Sequence, residues 1–137
     1  GCDIAAEAVA EARGRAETAG LSIPFERRDI RELQGHVEPC DLVVCCEVLE
    51  HREDPLAALS VLEGICRKHL LVSVPREPVW RALNVARGRY WRDFGNTPGH
   101  IQHWSRGGFL EMLGRRFDVV AVRSPLPWTM ALCRTRQ

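Results

Sequence analysis

The sequence predicts an α/β fold built on a mostly parallel sheet, with an antiparallel strand at its C-terminal edge. Three observations carry this. Residues 41–46, Asp-Leu-Val-Val-Cys-Cys, form an apolar run of strand length without the alternation of a half-wet strand, as expected of a parallel strand covered on both faces. A second such run, Leu-Leu-Val-Ser-Val, follows at 70–74 and stops at Pro75. Helical and strand patterns alternate between and before these runs, which implies right-handed crossovers within one sheet.

Each element has a local reason. Residues 4–19 are rich in Ala and Glu and read as a helix, with Gly20 as its stop. Residues 21–28 alternate through Ile23 and Phe25 and read as a short strand, and 29–39 is a polar loop. Asp54-Pro55 opens a helix as N-cap and first helical residue, with Leu56, Leu59, Leu62 and Ile65 as its apolar stripe to about Arg67. A short helix is expected over 77–87 and an irregular stretch over 90–102. Ser105 caps the next helix, and Trp104 can staple onto Phe109. The last strands are expected at 117–122 and 130–134, joined by a wide hairpin through Ser124-Pro-Leu-Pro.

The 137 residues, 45% hydrophobic, suffice for one core. A net charge of +1 gives no general pull toward nucleic acid or membrane. No run approaches the roughly 20 apolar residues of a membrane span, and no signal peptide opens the chain, so a cytoplasmic protein is expected. Six cysteines, at 2, 40, 45, 46, 66 and 133, include no CxxC pair. They read as small, mostly buried residues in a reducing compartment rather than zinc ligands. Cys45 and Cys46 should face opposite sides of their strand.

The chemistry concentrates where the first apolar run ends. Glu47, Glu50 and His51 follow it at i, i+3 and i+4, a spacing that puts two carboxylates and an imidazole on one side of a helical turn. Open α/β sheets bind ligands at the carboxyl ends of their strands. Pro98-Gly99-His100-Ile101-Gln102-His103 adds two more imidazoles before a capped helix.

With these residues in view, the chain resembles the class I S-adenosylmethionine-dependent methyltransferases. Gly1-Cys-Asp-Ile-Ala is similar to the end of that family's second strand, Arg28-Asp29-Ile30 to the end of the third, 41–51 to the fourth strand and its exit, and Leu71-Val-Ser-Val-Pro75 to the fifth. The resemblance implies a Rossmann-like methyltransferase sheet. It implies that Asp3, with Ile4, accepts from the ribose hydroxyls, that Asp29 takes the adenine amino group while the Ile30 N–H meets a ring nitrogen, and that Cys46 lines the cofactor. The other reading makes Asp3 a helix cap and Asp29 a turn residue. The family's first strand and glycine-rich loop would lie upstream of Gly1. Residues 1–137 are therefore expected to be a partial domain, poorly stable and inactive alone.

Within the family, the Glu-x-x-Glu-His turn with a later His resembles the ubiquinone-biosynthesis O-methyltransferases and the enzymes that methylate the terminal 2′-hydroxyl of small RNAs. That implies catalytic roles for Glu47, His51 and His100. It also implies a divalent metal, Mg, Mn or Zn, on Glu47, Glu50, His51 and His100, with His103 as the rival to His100. In related enzymes that need no metal, Glu47 would line the cofactor site and Glu50 would pair with an Arg. Residues 77–104 read as a substrate-covering insertion, with Trp80, Tyr90, Trp91, Phe94 and Trp104 set among arginines. The expected function is methyl transfer from S-adenosylmethionine to a small-molecule hydroxyl, with nucleic acid disfavoured as partner and oligomeric state open. The alternatives are a small-RNA terminal 2′-O-methyltransferase, a nicotinamide-dependent oxidoreductase whose glycine turn lies upstream, or a non-catalytic relative.

Overall fold

The computed structural model describes residues 1–136. They belong to two compact units, Gly1–Glu38 and Pro39–Gln137.

The first unit contains strand β1 (Cys2–Asp3), helix α1 (Ala6–Thr18), strand β2 (Glu26–Arg27) and a 3-10 turn at Ile30–Glu32. β1 and β2 pair in parallel, Cys2 with Glu26 and Asp3 with Arg27. α1 buries Val9 and Ala16, two turns apart on one face. Its Arg13 guanidinium donates to the Phe25 carbonyl, at 3.1 Å from Nε, and so ties the helix to the chain entering β2. The strand expected over 21–28 is thus only two residues long. Pro24 has no N–H to contribute to a ladder, and Leu21 and Ile23 stay exposed.

The second unit contains strand β3 (Cys40–Cys46), a 3-10 turn at Leu49–His51, helix α2 (Pro55–Ile65), strand β4 (Cys66–Pro75), helix α3 (Val79–Ala86), a 3-10 turn at Trp91–Asp93, helix α4 (Arg106–Leu113), and strands β5 (Phe117–Arg123) and β6 (Trp128–Thr135). The sheet order is β3-β4-β6-β5. β3 and β4 run parallel across the α2 crossover. β6 is antiparallel to both of its neighbours. The antiparallel strand expected at the edge therefore lies one place inside it. α4 carries the chain outward to β5, and the 124–127 link brings β6 back against β4.

Local rules explain the helix boundaries. The Asp54 carboxylate accepts from the Ala57 N–H at 2.9 Å, with Pro55 in the first turn. Ser105 accepts from Gly108 N at 3.2 Å, and the Trp104 ring stands 5.8 Å from Phe109 as the staple expected there. Leu59, Leu70, Val72, Val74, Phe109, Leu113, Phe117 and Cys133 are fully buried and form the core of this unit. α3 is held from its inner side, where the Asn84 amide donates to the Gly95 carbonyl at 2.8 Å. Gly95 is left-handed (φ 77°), and a Cβ there would collide with the Arg81 carbonyl, so only glycine permits this approach.

One expectation about β3 is corrected. Val43 and Cys45 are buried, but Leu42 and Val44 are 52% and 59% exposed. The strand is apolar on both faces and covered on one. Cys45 and Cys46 face opposite sides, buried and exposed respectively, and the six cysteines divide evenly between the interior and the surface. Among the described residues no helix is long and apolar enough to cross a membrane.

Truncating Phe109 to Ala should cost about 3–5 kcal/mol, as for other fully buried aromatics. Asp54→Ala removes one helix cap and should cost about 1 kcal/mol. Urea denaturation of both variants checks the ranking, which reverses if the cap rather than the core secures this unit.

Candidate active site

β3 ends at Cys46, and the next residue, Glu47, takes a left-handed backbone (φ 57°). Such a conformation costs a non-glycine residue on the order of 1 kcal/mol or more and persists only where the surroundings fix it. Here they do. Glu47 N donates to the Ser73 carbonyl at 3.1 Å. Its carboxylate accepts from Ser73 Oγ at 2.9 Å and from Trp128 Nε1 at 3.0 Å. The expected helical side shared by Glu47, Glu50 and His51 therefore does not form as such. Helical geometry begins at Leu49, and both oxygens of Glu47 are engaged by β4 and β6.

Glu50 lies inside, 1% exposed, and neither carboxylate oxygen has a hydrogen-bond partner. Burial pushes its carboxyl up to about 8, and the nearby Glu47 charge adds to the effect. The Glu50 carbonyl accepts from both Ile101 N and Gln102 N at 2.9 Å. The Gln102 amide donates onward to the carbonyls of Arg52 (3.1 Å) and Glu53 (3.3 Å). This seam brings the 99–102 segment onto the 49–51 turn, and with it His100.

The ligand atoms of Glu50, His51 and His100 lie within 4.8 Å of one another. His51 Nδ1 is 2.8 Å from the Gly99 carbonyl. A carbonyl only accepts, so Nδ1 carries a proton, and in the neutral ring the lone pair is then on Nε2. Gly99 is left-handed (φ 86°), and a Cβ on it would come within 3.4 Å of His51 Nδ1. His100 is buried, which lowers its pKa, with His51 and His103 adding to the effect. Its ring meets His51 edge-on at 4.8 Å and stacks on Trp80 at 5.8 Å. Trp80 is itself fixed by a 2.8 Å bond from Nε1 to Thr97 Oγ1 and leans on Trp128 at 6.0 Å. Of the two downstream histidines, the structure brings His100 to Glu50 and His51, while His103 stands 3.6 Å from Glu77.

An orphaned buried carboxylate, an imidazole anchored through Nδ1 and a second imidazole held by stacking have the donor chemistry that could hold a divalent cation. The fit includes Glu50, His51 and His100 but not Glu47, and it includes no cysteine.

The residues expected at the cofactor have their own local bonds. Asp3 Oδ1 accepts from Ala5 N at 2.8 Å. Asp29 accepts from Arg31 N at 2.9 Å and pairs with Arg31 Nε at 3.0 Å. Both acids nonetheless stand at the carboxyl ends of the paired parallel strands β1 and β2, where open α/β sheets present ligand groups. Ile4 is exposed and Ile30 buried. Cys46 is exposed at the carboxyl end of β3. In the 77–104 segment, Trp80 packs into the cluster and Trp104 onto α4, whereas Trp91 and Phe94 are 67% and 77% exposed.

Sequence reasoning missed Ser73, Gly99 and Trp128 as supports of the site. Ser73 had a signal: it is the polar residue within an apolar strand, paired in register with Cys46. Trp128 had none, lying 81 residues from Glu47.

A family model described as a methyltransferase domain matches residues 1–69. The chain is 32% identical over 143 residues to the ubiquinone biosynthesis O-methyltransferase of Actinobacillus pleuropneumoniae serotype 5b (strain L20), across 88% of this chain and 60% of that protein. It therefore spans less than two thirds of that relative. The crystal structure of magnesium protoporphyrin IX methyltransferase from Synechocystis PCC 6803 with bound SAH superposes with a TM-score of 0.73 at 22% identity, over 99% of this chain and 63% of that one. The N-methyltransferase NodS from Bradyrhizobium japonicum WM9 gives 0.68 at 20%, over 99% and 72%. At these identities the two structures establish a shared fold.

The raised carboxyl of Glu50 has a sign that can be measured. The folded state holds the proton up to about pH 8, while an unfolded Glu releases it near 4.5. The contribution of Glu50 to stability, in the presence of chelator, should be fullest below pH 4.5, decline between the two values, and level off above. The slope should approach at most about a tenfold change in folding constant per pH unit. Glu50→Gln should flatten that decline in urea titrations run across the range, and an unchanged slope would assign it to other groups.

Proposed function

This chain belongs to the methyltransferase domain family, and we propose that it transfers a methyl group from S-adenosylmethionine to a hydroxyl of a small-molecule acceptor. The observation that carries the acceptor side is the convergence of Glu50, His51 and His100 just beyond the carboxyl end of β3. Family membership leaves the nicotinamide reading without support, and the net charge of +1 favours a small acceptor over an extended polyanion.

S-adenosylmethionine supplies, when bound, a methyl group on a sulfonium that any aligned nucleophile can displace. The chain's part is alignment, exclusion of water and removal of one proton. Asp3 and Asp29, at the ends of β1 and β2, offer carboxylate acceptors suited to ribose hydroxyls and an adenine amino group. In the acceptor cluster, the Gly99 carbonyl holds His51 so that Nε2 faces away from its anchored edge. Trp80 holds the ring plane of His100. Transfer to a hydroxyl would also require its proton to leave, and of the two imidazoles His51, exposed and anchored through Nδ1, is the one placed to take it on Nε2.

The unpartnered oxygens of Glu50 support a further reading, in which Glu50, His51 and His100 hold a divalent cation. A bound cation would lower the pKa of the acceptor hydroxyl and offset the burial of Glu50. The mixed oxygen and nitrogen ligand set accommodates Mg, Mn or Zn. Glu47 serves in either case as a positioning residue that fixes the exit from β3.

Two measurements test these assignments on the complete protein. Excess EDTA should lower the methylation rate and Mn²⁺ should restore it, with His100→Ala abolishing Mn²⁺ binding in calorimetry. A rate that survives the chelator leaves His51 as the base and removes the cation. Asp3→Ala and Asp29→Ala should each weaken S-adenosylhomocysteine binding by about tenfold or more, the worth of one hydrogen bond to a charged group. An unchanged Kd would return those acids to their roles as turn caps.

A further inference from the structure

The chain that leaves α3 is exposed at every residue from 86 to 94, and Tyr90, Trp91 and Phe94 are among them. Leu83, one turn back on α3, adds an exposed aliphatic side chain. The stretch is nonetheless fixed. Gly95 N donates to the Tyr90 carbonyl at 2.9 Å, and Arg89 N to the Asn84 carbonyl at 2.8 Å. Tyr90 and Phe94, on either side of the Trp91–Asp93 turn, are both left-handed (φ 54° and 49°), a strained backbone that persists only where its surroundings hold it. The result is a closed, convex knuckle with its aromatic side chains outward. Its charge is one-sided. Between positions 78 and 105 the chain has Arg81, Arg87, Arg89 and Arg92 against a single acid, Asp93. Elsewhere in this unit Arg115, Arg116, Arg134 and Arg136 each stand within ion-pair distance of a carboxylate. Among the described residues none of the four arginines at the knuckle does. Arg81 and Arg87 turn Nε to the carbonyls of Phe94 and Leu83 instead. The overall charge of +1 conceals this patch.

We propose that this knuckle docks the protein on an anionic lipid bilayer, with Trp91, Phe94 and Leu83 entering the interface and the arginines meeting the headgroups. Tryptophan and tyrosine settle at the headgroup level of a bilayer. Inserted apolar side chains and neighbouring basic residues together give a peripheral contact its strength on anionic lipid. Arginine suits the rim, because its stem lies along apolar ground while the guanidinium stays in water. Shape and composition disfavour the other polyanion, nucleic acid. A single strand is bound along a basic groove that tracks its backbone, whereas this surface is a projection, and Leu83 has no π-face on which a base could stack. The inference does not depend on the methyl-transfer reading, because it uses none of the residues assigned to that reaction.

The test is sedimentation of the complete protein with vesicles of phosphatidylcholine containing about one third phosphatidylglycerol, against vesicles of phosphatidylcholine alone. The protein should sediment with the anionic vesicles, much less with the neutral ones, and the difference should shrink as salt is raised. Arg89→Gln and Arg92→Gln should each weaken partition about fivefold, the worth of one basic residue near an anionic surface. Lipids brominated on the acyl chain should quench part of the tryptophan fluorescence, and Trp91→Phe should remove that quenching while the protein still binds. Trp91→Gln combined with Phe94→Asn should leave the protein in the supernatant. All the altered side chains are exposed, and the comparison of the two vesicles on the unaltered protein stands even if a variant fails to fold. No sedimentation with either vesicle, equal sedimentation with both, or partition indifferent to these substitutions would each overturn the proposal. So would binding of a single-stranded RNA oligonucleotide that displaces the protein from the vesicles and is itself lost in the Trp91 and Phe94 variants, which would assign the surface to nucleic acid.

Discussion

A single backbone carbonyl organises the candidate site. The Glu50 C=O accepts two N–H groups, from Ile101 and Gln102, and so fastens a distant segment onto the turn that follows β3. Satisfying those donors requires the Glu50 backbone to lie inside the seam. The side chain of the same residue is buried, its carboxylate kept from water. His51 and Gly99 meet for the same reason, since His51 follows Glu50 and Gly99 lies two residues before Ile101.

The second constraint is the left-handed turn at Glu47. The chain leaves the extended conformation of β3 at Glu47, whose φ is positive. Ser73 and Trp128 hold it there from β4 and β6. Trp128 also touches Trp80, and Trp80 stacks on His100. A contiguous set of polar and aromatic contacts therefore runs from the sheet to the cluster, with Ser73 on β4, Trp128 on β6 and Trp80 on α3 as its supports. Rigid support of this kind is what precise placement of catalytic groups requires.

Local sequence signals were sufficient for most elements. The Asp54-Pro55 cap, the Trp104–Phe109 staple and the apolar runs of β3 and β4 are all decided by residues within a few positions of one another. The elements that differed depend on partners far along the chain. The 21–28 segment has strand-like alternation but, with Pro24 in its middle, acquires only two paired residues. β3 looks covered on both faces because its side chains are apolar on both, yet Leu42 and Val44 are exposed, and no local pattern carries that information. At the site, the spacing of Glu47, Glu50 and His51 assumed one regular turn. The strained backbone at Glu47 divides the three residues between two jobs, and its cause lies in Ser73 and Trp128. The pairing of His100 rather than His103 with the cluster likewise depends on the seam at Glu50, which spacing alone could not reveal.

The distribution of cysteines across the sheet has a practical consequence. Cys45, Cys66 and Cys133 are buried and lie on β3, β4 and β6, three successive strands. Cys2, Cys40 and Cys46 are exposed. Burial holds the Cys133 thiol up to about 11, far from the reactive thiolate. The chain thus carries a native set of chemical labels that divides surface from interior, with a neighbouring pair, Cys45 and Cys46, on the two faces of one strand. Thiol-reactive reagents would tag the outer three at once and reach the inner three only as the ladder opens, strand by strand, so the order of modification becomes a clock for the unravelling of the sheet.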